Sequence, residues 1–215
     1  LVTCDGGIVF QLMPAADTTA MAVQMNGTPL RIEQVDPQSP DKTFPIAHCG
    51  LLQYDMISDV LKLFTDNRQD NILLGGDQTG GRIETQGPVV WDRKTNQAQI
   101  AGPGKVYFDD SDASDSGEIA FAGKMDVIFA KPPAQESSLS LTAVNLTGGM
   151  SAQLRGNGIF NTAAETAHLA FGPDNALTSA RLEGAVRFEN ADAQSPSNAT
   201  AQTAVFYFDD QRQIA

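Results

Sequence analysis

The feature that most constrains this chain is a strand-turn-strand phrase that it writes twice. Gln97 to Phe108 (QAQIAGPGKVYF) follows the polar turn Asp92 to Asn96, and Ser179 to Phe188 (SARLEGAVRF) follows the turn Gly172 to Asn175. Each copy is a short strand, a glycine, and a second strand that ends in an aromatic residue. The segments before the two turns match as well, since Gly87 to Trp91 and Ala167 to Phe171 both close on an aromatic. Leu51 to Asp55 and Ala204 to Asp209 likewise run an apolar strand into an aromatic-Asp step. A unit that recurs implies an architecture of stacked, similar hairpins.

Period-two alternation supports the same class. Between Gly117 and Ala130, Ile119, Phe121, Met125, Val127 and Phe129 share one face, while Glu118, Lys124 and Asp126 share the other. Ala180, Leu182, Val186 and Phe188 alternate with Arg181, Glu183, Arg187 and Glu189 in the same manner. One greasy and one wet face is the signature of half-buried strands. Further strands are expected over 7–13, 19–25, 29–35, 60–65, 82–91, 138–144, 151–160 and 199–208. Turn clusters rich in Gly, Pro, Asn and Asp fall at 26–27, 36–40, 75–81 and 172–175. Ile57, Val60, Leu61 and Phe64 have helical spacing, but the surrounding pattern favours a bulged strand. The expectation is an all-β chain forming one domain over 1–215. The stretch Lys131 to Ser138 is either the meeting point of two repeat halves or one long inter-strand loop.

With 215 residues, 41% of them hydrophobic, the chain can bury a continuous core. A net charge of −12 argues against nucleic acid as a partner, because phosphates need a basic footprint. No apolar run approaches the roughly 20 residues of a spanning helix. The chain opens at Leu1-Val2-Thr3 as though already inside a strand, without a basic and apolar leader. It therefore reads as a mature or trimmed chain that has lost a signal peptide or an N-terminal anchor. Cys4 and Cys49 are the whole thiol inventory, too few for a disulfide scaffold or a zinc ribbon. They either form one bridge in an oxidising compartment or lie as buried thiols in neighbouring strands.

Catalytic signatures are thin. His48 and His168 are the only histidines, which excludes a multi-histidine metal site, and His168 sits in an alternating strand as a surface residue would. His48 and Cys49 are adjacent, so in a strand they point to opposite faces and make a poor thiolate pair. The acidic run Asp109 to Glu118 has the composition of a calcium loop but not its ligand spacing, and reads as a solvated loop. Paired carboxylates for sugar cleavage are absent from the inward positions. Trp91 is the single tryptophan, which suits a core position better than a carbohydrate platform. No phosphate-binding glycine loop is present. The expectation is a protein with no catalytic residues, no metal and no cofactor.

The units running from Trp91-Asp92 through Phe108, from Phe171 through Phe188, and Tyr207-Phe208-Asp209 at the end share the form aromatic-Asp turn, then Ala-x-apolar-x-Gly-x-Val-x-Phe. This resembles the OstA-like family of lipopolysaccharide-transport domains (LptA, LptC and the LptD N-terminal domain), with the clearest match from about Tyr54 onward. The resemblance implies a β-jellyroll of stacked antiparallel strands forming an open V-shaped groove that holds lipid acyl chains. It also implies a periplasmic setting in outer-membrane biogenesis, free, membrane-anchored or within a longer envelope protein, and no chemistry of its own.

Alternation places Ile83, Val89, Trp91, Ile100, Val106, Phe108, Phe121, Met125, Val127, Phe129, Leu182, Val186 and Phe188 on the inward face as the expected lipid-binding wall. Each methylene covered by such a wall is worth roughly 0.8 kcal/mol. The expected ligand is lipopolysaccharide or a related lipid. Two nearly uncharged end strands, near 8–12 and 199–208, are expected to pair with other jellyrolls of transport or with a second copy of the chain. The alternatives are a carbohydrate-binding or adhesive β-solenoid, whose ligand would lie on an outer polar face, and a structural envelope scaffold.

Overall fold

Among the described residues the alternation resolves into sixteen strands that all join one antiparallel sheet. The computed structural model describes residues 1–14, 19–36, 39–65, 71–76, 81–109, 116–130, 140–155, 159–172, 176–190 and 196–208. In chain order the first strands are β1 (Val2–Thr3), β2 (Ile8–Pro14), β3 (Thr19–Asp36), β4 (Ser39–Asp55), β5 (Val60–Phe64) and β6 (Ile72–Gly76). There follow β7 (Gly81–Thr85), β8 (Val89–Asp92), β9 (Gln97–Ala101), β10 (Gly104–Asp109), β11 (Ser116–Phe121) and β12 (Lys124–Ala130). The last four are long: β13 (Ser140–Arg155), β14 (Ile159–Phe171), β15 (Leu177–Asn190) and β16 (Ser197–Tyr207). The fold is all-β and β-jellyroll-like.

Between β4 and β13 the sheet divides into two tracks. One half of β4, Leu51–Asp55, pairs with β5, while Ala47 and His48 pair with β6. The first track continues through β8, β9 and β12 to the Ser140–Thr147 half of β13. The second continues through β7, β10 and β11 to the Met150–Arg155 half. β14, β15 and β16 then span both tracks again.

A crease separates the tracks, and glycine makes it. The chain crosses it at 86–88, at Gly102-Pro103 and at Ala122-Gly123. In the long strands the same line is marked by shifts of register after Asn26, Thr147, Ala163 and Glu183. A sharp fold of the sheet presses neighbouring backbones together, where only a residue without a Cβ fits. A Cβ on Gly102 would lie 2.7 Å from the carbonyl oxygens of Ala122 and Gly123, and one on Gly123 would strike the Thr147 carbonyl and the Gly148 Cα. The crease is also bonded across strands, through Gly102 N–H to the Gly123 carbonyl at 2.6 Å and Ala122 N–H to the Gly149 carbonyl at 3.0 Å.

This crease corrects several expectations. Asn26-Gly27 lies inside β3 as part of the crease, not at a hairpin turn. The segments 82–91 and 117–130 each break there into two strands. The reversal between β13 and β14 falls within 151–160. Residues 131–139 lie outside the described residues, yet β12 and β13 on either side pair directly, so the sheet is continuous. Residues 110–115 of the acidic run lie outside them too.

Thr85 pins the crease from within. It is 1% exposed, and its hydroxyl donates to the Ala101 carbonyl and accepts the Gly87 N–H at 3.1 Å. Thr85→Val keeps the shape but strips the Gly87 donor and the Ala101 acceptor of this partner, and is expected to cost about 1–3 kcal/mol. A denaturation midpoint at the wild-type value would show that the hydroxyl contributes nothing beyond its methyl-sized bulk.

Candidate functional site

The two tracks close on each other about the crease and bury one apolar core between them. Register carries that core from strand to strand as rungs. In the first track one rung runs Met25, Leu52, Leu63, Val89, Ile100, Met125, Leu146, Ala167, Leu182 and Ala204. A second, nearer the outer rim, runs Tyr54, Leu61, Trp91, Ala98, Val127, Val144, Leu169, Ala180 and Phe206. The other track carries Ala47, Leu74, Ile83, Val106, Ile119, Ala152, Thr162 and Phe188. Directly opposed side chains share a face, so each rung is a continuous inward stripe.

The expected wall residues fall on these stripes or beside them. Val89, Ile100, Phe121, Met125, Val127, Leu182 and Val186 are fully buried, and Ile83, Val106 and Phe129 are half-buried against the same core. Trp91 is half-buried in its rung, with its indole Nε1 buried. The side chain of Phe108 lies outside the described ones, although its backbone pairs with Gly81 and Gly117. Phe188 is half-buried, with ring centroids 5.9 Å from Phe160 and 6.2 Å from Phe206. Because Phe206 belongs to the opposite track, this trio joins the two tracks at the C-terminal end.

The interior changes along its length. From β3 to β13 it is filled by large side chains, with Leu30, Ile72, Ile100 and Leu146 almost wholly covered. Toward β16 the rungs turn to Ala152, Ala164, Ala167, Ala180 and Ala204. Sequence reasoning missed Leu30, Leu52, Leu63, Ile72 and Leu146. Alternation around Val144 and Leu146, and of Leu61 with Leu63 in β5, could have found Leu146 and Leu63, whereas Leu30 and Ile72 lie close to crease or turn residues that interrupt the period.

The outer face is wet. Lys105–Glu118 at 2.7 Å, Lys124–Asp126 at 2.8 Å, Arg82–Glu84 at 3.0 Å and Arg181–Glu183 at 2.6 Å are exposed pairs of small individual worth. His168 lies in the outward rung beside Asn145, to whose Oδ1 its Nδ1 is bonded. A concavity of about 240 Å³ on β2 to β5 is lined mainly by this wet face, including Gln11, Gln24, Gln53 and Lys62. Among the described residues no group of His, Cys, Asp and Glu could hold a metal, and no helix is long and apolar enough to cross a membrane.

The rim of the first track is built rigidly. Asp55 accepts the Ile57 N–H at 2.8 Å, and Asp92 accepts the Lys94 N–H at 2.9 Å, which fixes two adjacent turns. Hydrogen bonding, from Ser58 first in one case and from the Thr95 N–H in the other, holds both carboxyls below their ordinary range. The Tyr54 hydroxyl donates to Asp59 at 2.5 Å, which raises its pKa, and Arg93 binds both at 3.2 Å. Lys94 Nζ donates to the Ile57 carbonyl at 2.6 Å. Met56 and Ile57 stand exposed at the tip.

Cys4 and Cys49 are both free thiols. Thr3 pairs with Arg31 and Cys49 with Leu30, so β3 runs between the two cysteines. Two strand spacings, roughly 10 Å, exceed the reach of a disulfide. Burial pushes the Cys49 thiol up to about 11. A thiol reagent at neutral pH is therefore expected to modify Cys4 alone until the chain unfolds; modification of Cys49 in the native state would show that β3 and β4 open locally.

No family model matches the chain, and neither does any curated protein sequence or solved structure.

Proposed function

We propose that this chain is a lipid-binding conduit or bridge component of lipopolysaccharide transport, working in the periplasm and doing no catalysis of its own. The observation that carries this reading is the set of apolar rungs that run strand by strand through the stack to β16. Acyl chains need a wall that is continuous along the direction of travel, and hydrogen-bonded strands with inward Leu, Ile, Val and Met supply one.

The ends of the stack support a bridging role. Among the described residues, β1 and β2 at one end and β16 at the other each have a single pairing partner, β3 and β15 respectively. Neither β2 nor β16 carries a charge, the usual device that blunts an edge strand. Phe10 is 62% exposed and Tyr207 63%. Strand addition by the same or a related jellyroll would pair these edges and extend the rungs into the neighbour.

A photo-crosslinking residue at Phe188 tests the proposal, with the outward Arg187 as control. Both sites lie on β15 and differ only in the face they occupy. Lipopolysaccharide adducts in living cells at Phe188 alone support the conduit. Equal adducts at both sites, or none at either, return the fold to a carbohydrate-binding or scaffold role.

A further inference from the structure

Register and one small side chain build the concavity on β2 to β5. In one outward rung Ala22 stands between Gln11 and Asp55, with Val60 beyond. In the next rung toward the crease, Gln24 and Gln53 stand between Val9 and Lys62. The methyl group of Ala22 leaves a dip that the longer side chains around it wall in. Its floor is apolar, from Val9, Ala22 and Val60, and its walls are polar. At about 240 Å³ it is smaller than the roughly 300–1,000 Å³ of drug-sized pockets, so it suits one ring-sized ligand.

The polar groups say what kind of ring. Gln53 Nε2 donates to Gln24 Oε1 at 3.3 Å, which leaves the Gln24 amide nitrogen to donate and the Gln53 carbonyl to accept, side by side. Gln11 adds another amide at the open edge. Amides in this arrangement match hydroxyl groups, which both donate and accept, and the apolar floor matches the C–H face of a sugar ring. Lys62 is exposed and has neither an ion pair nor a hydrogen bond among the described residues, whereas other outward cations such as Lys124 and Arg82 are paired. The Asp55 carboxylate is already engaged, by the Ile57 N–H at 2.8 Å and the Ser58 N–H at 3.3 Å. One free ammonium beside an engaged carboxylate suits a single negative charge better than a phosphate, which carries close to two. We infer that this concavity binds a sugar ring bearing a carboxylate, a uronic acid, with its hydroxyls on the glutamine amides and its carboxylate at Lys62. The site lies on the face of the sheet opposite the apolar rungs, so it is independent of the lipid-binding reading.

Glucuronate and glucose, the same ring with and without the carboxylate, are the probes. They are titrated into the isotope-labelled chain and followed at the side-chain amide resonances of Gln11, Gln24 and Gln53. Glucuronate is expected to shift these resonances and to bind about three- to tenfold tighter than glucose, the range of one exposed charge-assisted hydrogen bond. Lys62→Gln is expected to bring glucuronate down to the level of glucose and to leave glucose unchanged. Ala22→Leu, which fills the dip from a half-buried outward position, is expected to abolish binding of both sugars. Resonances that glucuronate leaves unmoved in the unaltered chain overturn the inference. So does equal binding of the two sugars, or a Lys62→Gln protein that keeps the preference. Crosslinking at Phe188 reads the lipid proposal separately, so the failure of either leaves the other standing.

Discussion

Gly123→Ala is expected to cost about 3 kcal/mol or more and to leave little folded protein, whereas Gly7→Ala is expected to be almost silent. The two substitutions add the same methyl group to different surroundings. At Gly123 the new Cβ meets the Thr147 carbonyl and lies 2.9 Å from the Gly148 Cα, and both obstacles are backbone of the neighbouring strand. Neither can rotate away as a side chain would. Relief would have to come from opening the crease, which carries the Gly102 N–H to Gly123 carbonyl bond and the step from β11 to β12. Gly148, directly opposite, adopts a φ of +84°, a conformation that glycine holds readily and other residues do not, so both sides of this contact depend on glycine. At Gly7 nothing lies within 4 Å of the added atom. Chemical denaturation of the two variants reads the difference; a Gly123→Ala midpoint equal to that of Gly7→Ala would mean that the crease is not held closed in solution.

The same crease explains which parts of the fold were legible. The recurring phrase was a faithful signal: its equivalent positions Ile100 and Leu182 occupy one rung, and Ala98 and Ala180 occupy the next. The glycines that punctuate it, Gly102 and Gly184, are crease residues in both copies. Inward faces could be read because a period of two survives wherever a strand half is regular. What could not be read was the line along which the halves meet. Asn26-Gly27 is a strong local hairpin signal, yet here β3 runs straight on through it, because the obstacle it solves is a neighbouring strand and not a reversal. The pairing of β11 with β13 joins segments on either side of β12 and depends on the division into tracks, which no local window contains. Leu30 and Ile72 were missed because they lie close to such points. The dip over Ala22 was invisible for a related reason: alternation gives the face a side chain points to, not the neighbours it meets across strands.

The change from large to small inward side chains toward β16 leads to a second large effect. Phe121→Asp is expected to unfold the chain, while Phe188→Asp is expected to leave it folded and to abolish lipid adducts. Phe121 is 2% exposed, sits in a rung between Gly104 and Met150, and places its ring against Gly104. Losing a buried Phe costs about 3–5 kcal/mol, before the penalty for a carboxylate with no partner in that rung is added. The total rivals the stability of a whole domain, about 5–15 kcal/mol. Phe188 differs in its surroundings. It is half-buried, its contacts are the rings of Phe160 and Phe206, and each such pair is worth about 0.5–1.5 kcal/mol. A carboxylate there can reach water, so the fold is retained, while the proposed lipid-binding wall acquires a charge that an acyl chain would have to desolvate. Circular dichroism and crosslinking on the two variants separate the roles. A folded, stable Phe121→Asp protein would show that the interior is open along its whole length, and a folded Phe188→Asp protein that still takes up lipid would place the acyl path elsewhere than the C-terminal end.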